Sequence, residues 1–148
     1  MSNSPHTDQR LTPELDVSDL HRSIRFYVGT LGFNVRYERP EEGFAFLDFD
    51  GVSLMLEAAT GPGRRFHTGP LEYPYGRGVN FQIEVHNVDE LYARTLEAGS
   101  TALISLEERS YRQGDRESGN RQFVIADPDG YLLRLFSDLG VRPVHSQS

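Results

Sequence analysis

The chain has no cysteine and no lysine, and nowhere does it carry an apolar run of membrane-spanning length. Without cysteine there is no disulfide, no thiol nucleophile and no thiolate metal site. All 15 basic residues are arginine, which excludes Schiff-base chemistry on the protein. With no apolar stretch long enough to span a bilayer and no basic-then-apolar leader, the chain is expected to be cytoplasmic and to have no membrane partner. A formal charge of −7 argues against general nucleic-acid binding; it favours cationic small-molecule partners and also keeps a small protein soluble. At 148 residues and 37% apolar content, the chain can bury one good core but hardly two independent ones.

What is present is a repeat. The run DPDGYLLRLF from Asp127 to Phe136 has a weaker echo, DFDGVSLMLE, from Asp48 to Glu57. An Asp-Gly turn feeding a strand, repeated about half a chain apart, is the mark of a duplicated module. Before each copy stands a strand-like run, Leu11 to Leu20 and Val79 to Val88, with Val17 and Val85 in equivalent places. Leu20, Ile24, Tyr27, Val28 and Leu31 then recur at helical spacing, as do Val88, Leu91, Tyr92, Thr95 and Leu96. Ser18 and Asn87 are the expected N-caps, and Gly32 and Gly99 fall where a left-handed C-terminal stop is wanted.

Alternation and turn residues place the remaining strands at Phe33–Arg39, Gly43–Phe49 and Gly51–Glu57, then Ser100–Leu106, Arg121–Asp127 and Tyr131–Phe136. Each half thus reads as strand, helix and three strands: an α+β protein of two βαβββ modules, residues 11–58 and 78–139, sharing one structural domain, 11–139. Residues 59–77, rich in Gly, Pro and Arg, read as the linker, and residues 1–10 and 140–148 as polar, disordered tails. Residues 107–120 lack periodicity and are expected to be a long functional or mobile loop.

The paired pattern VSDLHRSIRFYVGTLGF and RQFVIADPDGYLLRL resembles the vicinal oxygen chelate superfamily of glyoxalases, extradiol dioxygenases, fosfomycin-modifying enzymes and bleomycin resistance proteins. The resemblance runs from about Leu11 to Leu139. It implies curved mixed sheets enclosing a cavity, which in the family's enzymes holds a divalent metal. The family's ligand positions map onto Thr12, Met55, Asn80 and Arg134. Thr and Asn are weak neutral donors, Met is too soft for such ions, and Arg would put a fixed positive charge where a cation should sit. His6, His21, His67, His86 and His145 offer no i, i+2 or i, i+4 pair. A displaced site on Glu14 and Glu57 stays open, because strand alternation puts each on the same face as its neighbouring ligand position.

A fold kept without its metal ligands resembles the bleomycin resistance branch, which implies no cofactor, no catalytic residue and stoichiometric sequestration of a cationic glycopeptide in grooves of a homodimer. Pro13 matches a proline of that branch associated with an N-terminal arm exchanged between subunits. The same resemblance puts a stacking ring at Phe44, with Phe46 beside it, and cavity carboxylates at Glu14 and Glu57. Asn80, Gln82 and Arg134 would line the cavity, and Tyr111 and Arg112 would close over the ligand from the long loop. Two departures bear on the ligand: the chain has no tryptophan, Gln82 standing where one is expected, and Arg134 adds positive charge. A planar or anionic compound such as an aromatic acid therefore also suits the cavity. Two further readings are a lyase, isomerase or dioxygenase with a displaced metal, and a ligand-sensing accessory protein.

Overall fold

A computed structural model describes residues 9–144, which divide into two compact units at Tyr75 and Gly76. The first unit contains β1 (Glu14–Val17), a helix α1 (Leu20–Ile24) that continues as a π-helical turn (Arg25–Thr30), β2 (Asn34–Arg39), β3 (Phe44–Phe49) and β4 (Val52–Ala58). The second contains β5 (Asn80–Glu84), α2 (Val88–Glu97), β6 (Ala102–Gln113), β7 (Arg116–Ala126) and β8 (Leu132–Pro143). The strand orders are β1-β4-β3-β2 and β5-β8-β7-β6, the same path twice. In each sheet the first strand pairs in parallel with the last, and all other pairs are antiparallel. The two βαβββ modules expected from the repeat are therefore present.

Each module folds around the apolar half of its alternation. Leu15, Val17, Ala45, Leu47, Leu54 and Leu56 are buried with Tyr27, Leu31 and Phe33 in the first unit; Ile83, Phe123, Ile125, Leu133 and Leu135 are buried with Val88, Leu91 and Thr95 in the second. Burying one face of each sheet against its helix leaves the other face for polar and aromatic side chains.

The Asp-Gly turns work differently in the two halves. Asp50 and Gly51 both have positive φ, 46° and 90°, as a tight two-residue hairpin turn requires. In the second half, the buried Asp127 carboxylate accepts hydrogen bonds from the backbone N–H of Asp129 (2.9 Å) and of Tyr131 (3.0 Å). It thereby holds the turn into β8 rigidly.

Three expectations are corrected. Asp19, not Ser18, caps α1, its side chain accepting from the Arg22 N–H, whereas Asn87 caps α2 as expected. Residues 107–120 form no loop: they belong to the β6–β7 hairpin, which turns at Gly114 (φ 64°). Its charges look aperiodic along the chain but pair across strands, with Arg112 opposite Glu117 and Arg121 opposite Glu108. Residues 140–143, expected to be tail, continue β8 because β7 reaches far enough to pair with them: Glu117 faces Arg142, and their side chains meet at 3.1 Å. Residues 1–8 and 145–148, with His6 and His145, lie outside the described residues.

Candidate functional site

The polar face of the first sheet is set by its register. Glu14 lies opposite Met55 and Asp16 opposite Glu57 across the β1–β4 pair, while Phe44 and Phe46 on β3 lie opposite Glu57 and Met55. Alternation therefore collects Glu14, Asp16, Glu57, Met55, Phe44 and Phe46 on one face. Glu57 is the electrostatic centre. Burial raises its carboxyl above the ordinary value of 4.5, the nearby Glu14 carboxylate raises it further, and the Arg65 guanidinium opposes both. Protonated, Glu57 hydrogen-bonds Glu14; ionised, it leaves two carboxylates side by side, an arrangement that attracts a cation.

Sequence reasoning did not identify the groups that close this face. Arg65 reaches from the segment after β4 to donate to Glu57 Oε2 (2.9 Å), to the Ala58 carbonyl (2.8 Å) and to the Glu42 carbonyl (3.2 Å). His67 Nε2 lies 3.1 Å from Asp16 Oδ1. The segment expected only to link the modules thus straps the edge of the acidic face. A doubled arginine in a Gly-Pro-rich stretch beside an acidic strand was the available signal.

The two phenylalanines differ. Phe44 is only 3% exposed and Arg39 covers its ring at 4.1 Å, so it serves as core. Phe46 is half-buried and stacks on Tyr37, centroids 5.2 Å apart and planes inclined by 18°, with the Arg36 guanidinium 4.9 Å from the Phe46 centroid. Tyr37 is 46% exposed, and it is the ring of this ladder that presents most surface to an incoming molecule. A bulge between Val35 and Tyr37 brings it opposite Phe46, a displacement that strict alternation along β2 could not foretell.

The open face of the second sheet is polar and grooved. Gln82 lies opposite Arg134, which lies opposite Val124; Gln122 and Asn120 follow along β7. One cavity of about 350 Å³ is lined by Gln82, Tyr111, Asn120, Arg134 and Phe136, among others. A second, of about 410 Å³, is lined by Asn80, Leu103, Ile104, Val124 and Leu132 together with Gln122 and Glu107. Tyr111 and Arg134 line both. Tyr111 Oη accepts from Gln122 Nε2 (2.7 Å) and from Arg134 (3.3 Å), and Gln122 Nε2 also donates to Glu107 (3.2 Å).

Asn80, Gln82, Tyr111 and Arg134 are therefore brought together, but Tyr111 arrives on a strand and not on a closing loop. Arg112, its neighbour, points to the opposite face by alternation; it is exposed, with its Nε donating to the Gly114 carbonyl at the hairpin tip. Gln122 and Asn120 were missed: β7 is polar from Arg116 to Gln122, apart from Gly119, and only packing shows that these two of its residues are buried.

A divalent ion does not fit the residues at the positions that the resemblance assigns to one, Thr12, Met55, Asn80 and Arg134. Met55 and Arg134 stand on the last strands, and among the described residues no three His, Asp or Glu side chains gather as a ligand set. The Glu14–Glu57 pair carries Arg65 on one of its oxygens. Among the described residues, no helix is long and apolar enough to cross a membrane.

Residues 9–135 match the family described as Glyoxalase/Bleomycin resistance protein/Dioxygenase superfamily. A bleomycin resistance protein from Geobacillus stearothermophilus is 31% identical over 134 residues, covering 86% of this chain and 95% of its own. The protein of the same name from Staphylococcus aureus shows the same identity and coverage, 31% over 86% and 95%. Among solved structures, TioX from Micromonospora sp. ML1 matches with a TM-score of 0.69 at 23% identity, over 88% of this chain and 99% of that one. The virulence protein STM3117 from Salmonella typhimurium matches with a TM-score of 0.66 at 23% identity, over 88% and 96%. These two structures share the fold.

Proposed function

The chain belongs to the Glyoxalase/Bleomycin resistance protein/Dioxygenase superfamily, and we propose that it is a metal-independent binding protein that sequesters a bleomycin-type antibiotic as a homodimer. The observation that carries this reading is its 31% identity, over 86% of the chain, to proteins named for bleomycin resistance. The chemistry of the first sheet agrees with it. A cationic, planar-ringed ligand would find the Glu14–Glu57 carboxylate pair for its charge and the Tyr37–Phe46 ladder for its rings. Met55 and Arg134, where metal-dependent relatives would need ligands, fit a site that binds without a metal. Function of this kind is equilibrium capture: no bond is made or broken, and protection follows from affinity and copy number.

The test is a calorimetric titration of metal-stripped protein with bleomycin, alongside elemental analysis of the protein as purified. Sub-micromolar binding near one ligand per chain, with no stoichiometric metal and a dimeric mass in solution, is the expected result. Absence of binding heat, or a tightly held divalent ion whose removal abolishes binding, would overturn the reading.

A further inference from the structure

We propose that the second unit, described from Gly76 to Val144, binds a planar aromatic carboxylate in the groove that Tyr111 and Arg134 share. The reasoning begins with a donor count. A guanidinium carries five N–H donors and cannot lose its proton. Among the described residues, Arg134 uses one of these donors, to Tyr111 Oη at 3.3 Å, and its guanidinium carbon lies 5.9 Å from the Tyr111 ring centroid. No carboxylate of the described residues pairs with it: Glu107 accepts from Gln122, and Asp138 accepts from the Gly140 N–H at 2.8 Å.

Tyr111 points the same way. Its oxygen already accepts from both Gln122 and Arg134, which leaves the hydroxyl proton to be donated outward. The orientation of the Gln122 amide follows from its partner, since only the NH₂ end can face the Glu107 carboxylate. The groove thus holds a fixed positive charge and a spare hydroxyl donor. Gln82 stands opposite Arg134 in register. A carboxylate matches the guanidinium fork two oxygens to two donors, and takes the Tyr111 proton as well.

The body of the ligand follows from the other wall. Leu103, Ile104, Val124 and Leu132 line the cavity of about 410 Å³ beside Arg134, and Leu103 and Ile104 are 59% and 43% exposed. A flat apolar ring carrying the carboxylate would cover them while its charge met Arg134. This site uses residues other than Glu14, Glu57 and Tyr37, so it stands whether or not bleomycin binds.

The test is an NMR titration of the full chain with benzoate, and in parallel with the neutral, nearly isosteric benzamide. Benzoate should move the backbone amides of Asn80, Tyr111, Gln122 and Arg134, and benzamide should bind about tenfold more weakly or worse. Arg134→Gln should weaken benzoate by about tenfold or more, Arg134→Lys by less because it keeps charge without the fork, and Tyr111→Phe by a few-fold. Equal affinity for the two probes, benzoate affinity indifferent to Arg134→Gln, or shifts confined to other residues would each overturn the proposal. So would the absence of benzoate binding at tens of millimolar. If Arg134→Gln does not fold, the benzoate-to-benzamide ratio on the unaltered chain decides alone. A negative bleomycin titration with a positive benzoate result would remove the proposed function and leave this site in place.

Discussion

Replacing Phe44 and Tyr37 separately by alanine should divide stability from recognition. Phe44 is 3% exposed and capped by Arg39, which is itself tied to Glu42 at 2.7 Å. Truncation there opens a cavity beneath Arg39, and a buried Phe→Ala change costs about 3–5 kcal/mol. Against the roughly 5–15 kcal/mol that holds a small domain together, the variant should fold with a clearly lowered denaturant midpoint. Tyr37, 46% exposed and stacked on Phe46, loses little on truncation that the fold needs. It should cost a stacking ligand about 1–2 kcal/mol, or roughly five- to thirtyfold in Kd. Urea unfolding and bleomycin calorimetry on both variants measure the two effects. The reasoning is refuted if Phe44→Ala unfolds like the parent yet binds tenfold more weakly, or if Tyr37→Ala leaves Kd unchanged while the parent binds tightly.

Other outcomes follow from the same contacts. Because the folded Glu57 carboxyl sits above its ordinary value of 4.5, folding favours its protonated form, and the stability penalty of ionising it appears as pH rises from about 4.5 through the folded value. The stability of Glu57→Gln relative to the parent should therefore improve between acid and neutral pH in urea titrations; a shift the other way would contradict the assignment. A cation bound at this face lowers that carboxyl, so bleomycin binding near the folded value should release protons, visible as binding heat that depends on the ionisation enthalpy of the buffer. Asp127→Ala strips two buried N–H groups of their acceptor and should destabilise the chain by about 2–4 kcal/mol, read as a fall in Tm. Arg65→Ala removes the side chain that joins Glu57, Ala58 and Glu42, and limited proteolysis should then cut within residues 60–67 faster than in the parent.

The repeated Asp-Gly turns, the two helical periodicities and the alternation of the strands carried the α+β assignment and the doubled module, because these are local patterns that each segment states about itself. The same locality placed Asn80 and Gln82 on one strand and Arg134 on another, which the structure pairs side by side. What stood outside a sequence reading depends on partners distant in the chain. Residues 107–120 look like a loop until Arg121 meets Glu108 and Arg142 meets Glu117, contacts that exist only once three strands lie side by side. Phe44 and Phe46 are equivalent by alternation, and only the lateral approach of Arg39 and Tyr37 makes one core and leaves the other in an open ladder. Arg65 and Gln122 became site residues for the same reason: a guanidinium and an amide acquire their roles from the groups that packing brings within hydrogen-bond reach, and neither residue type announces in sequence which groups those will be.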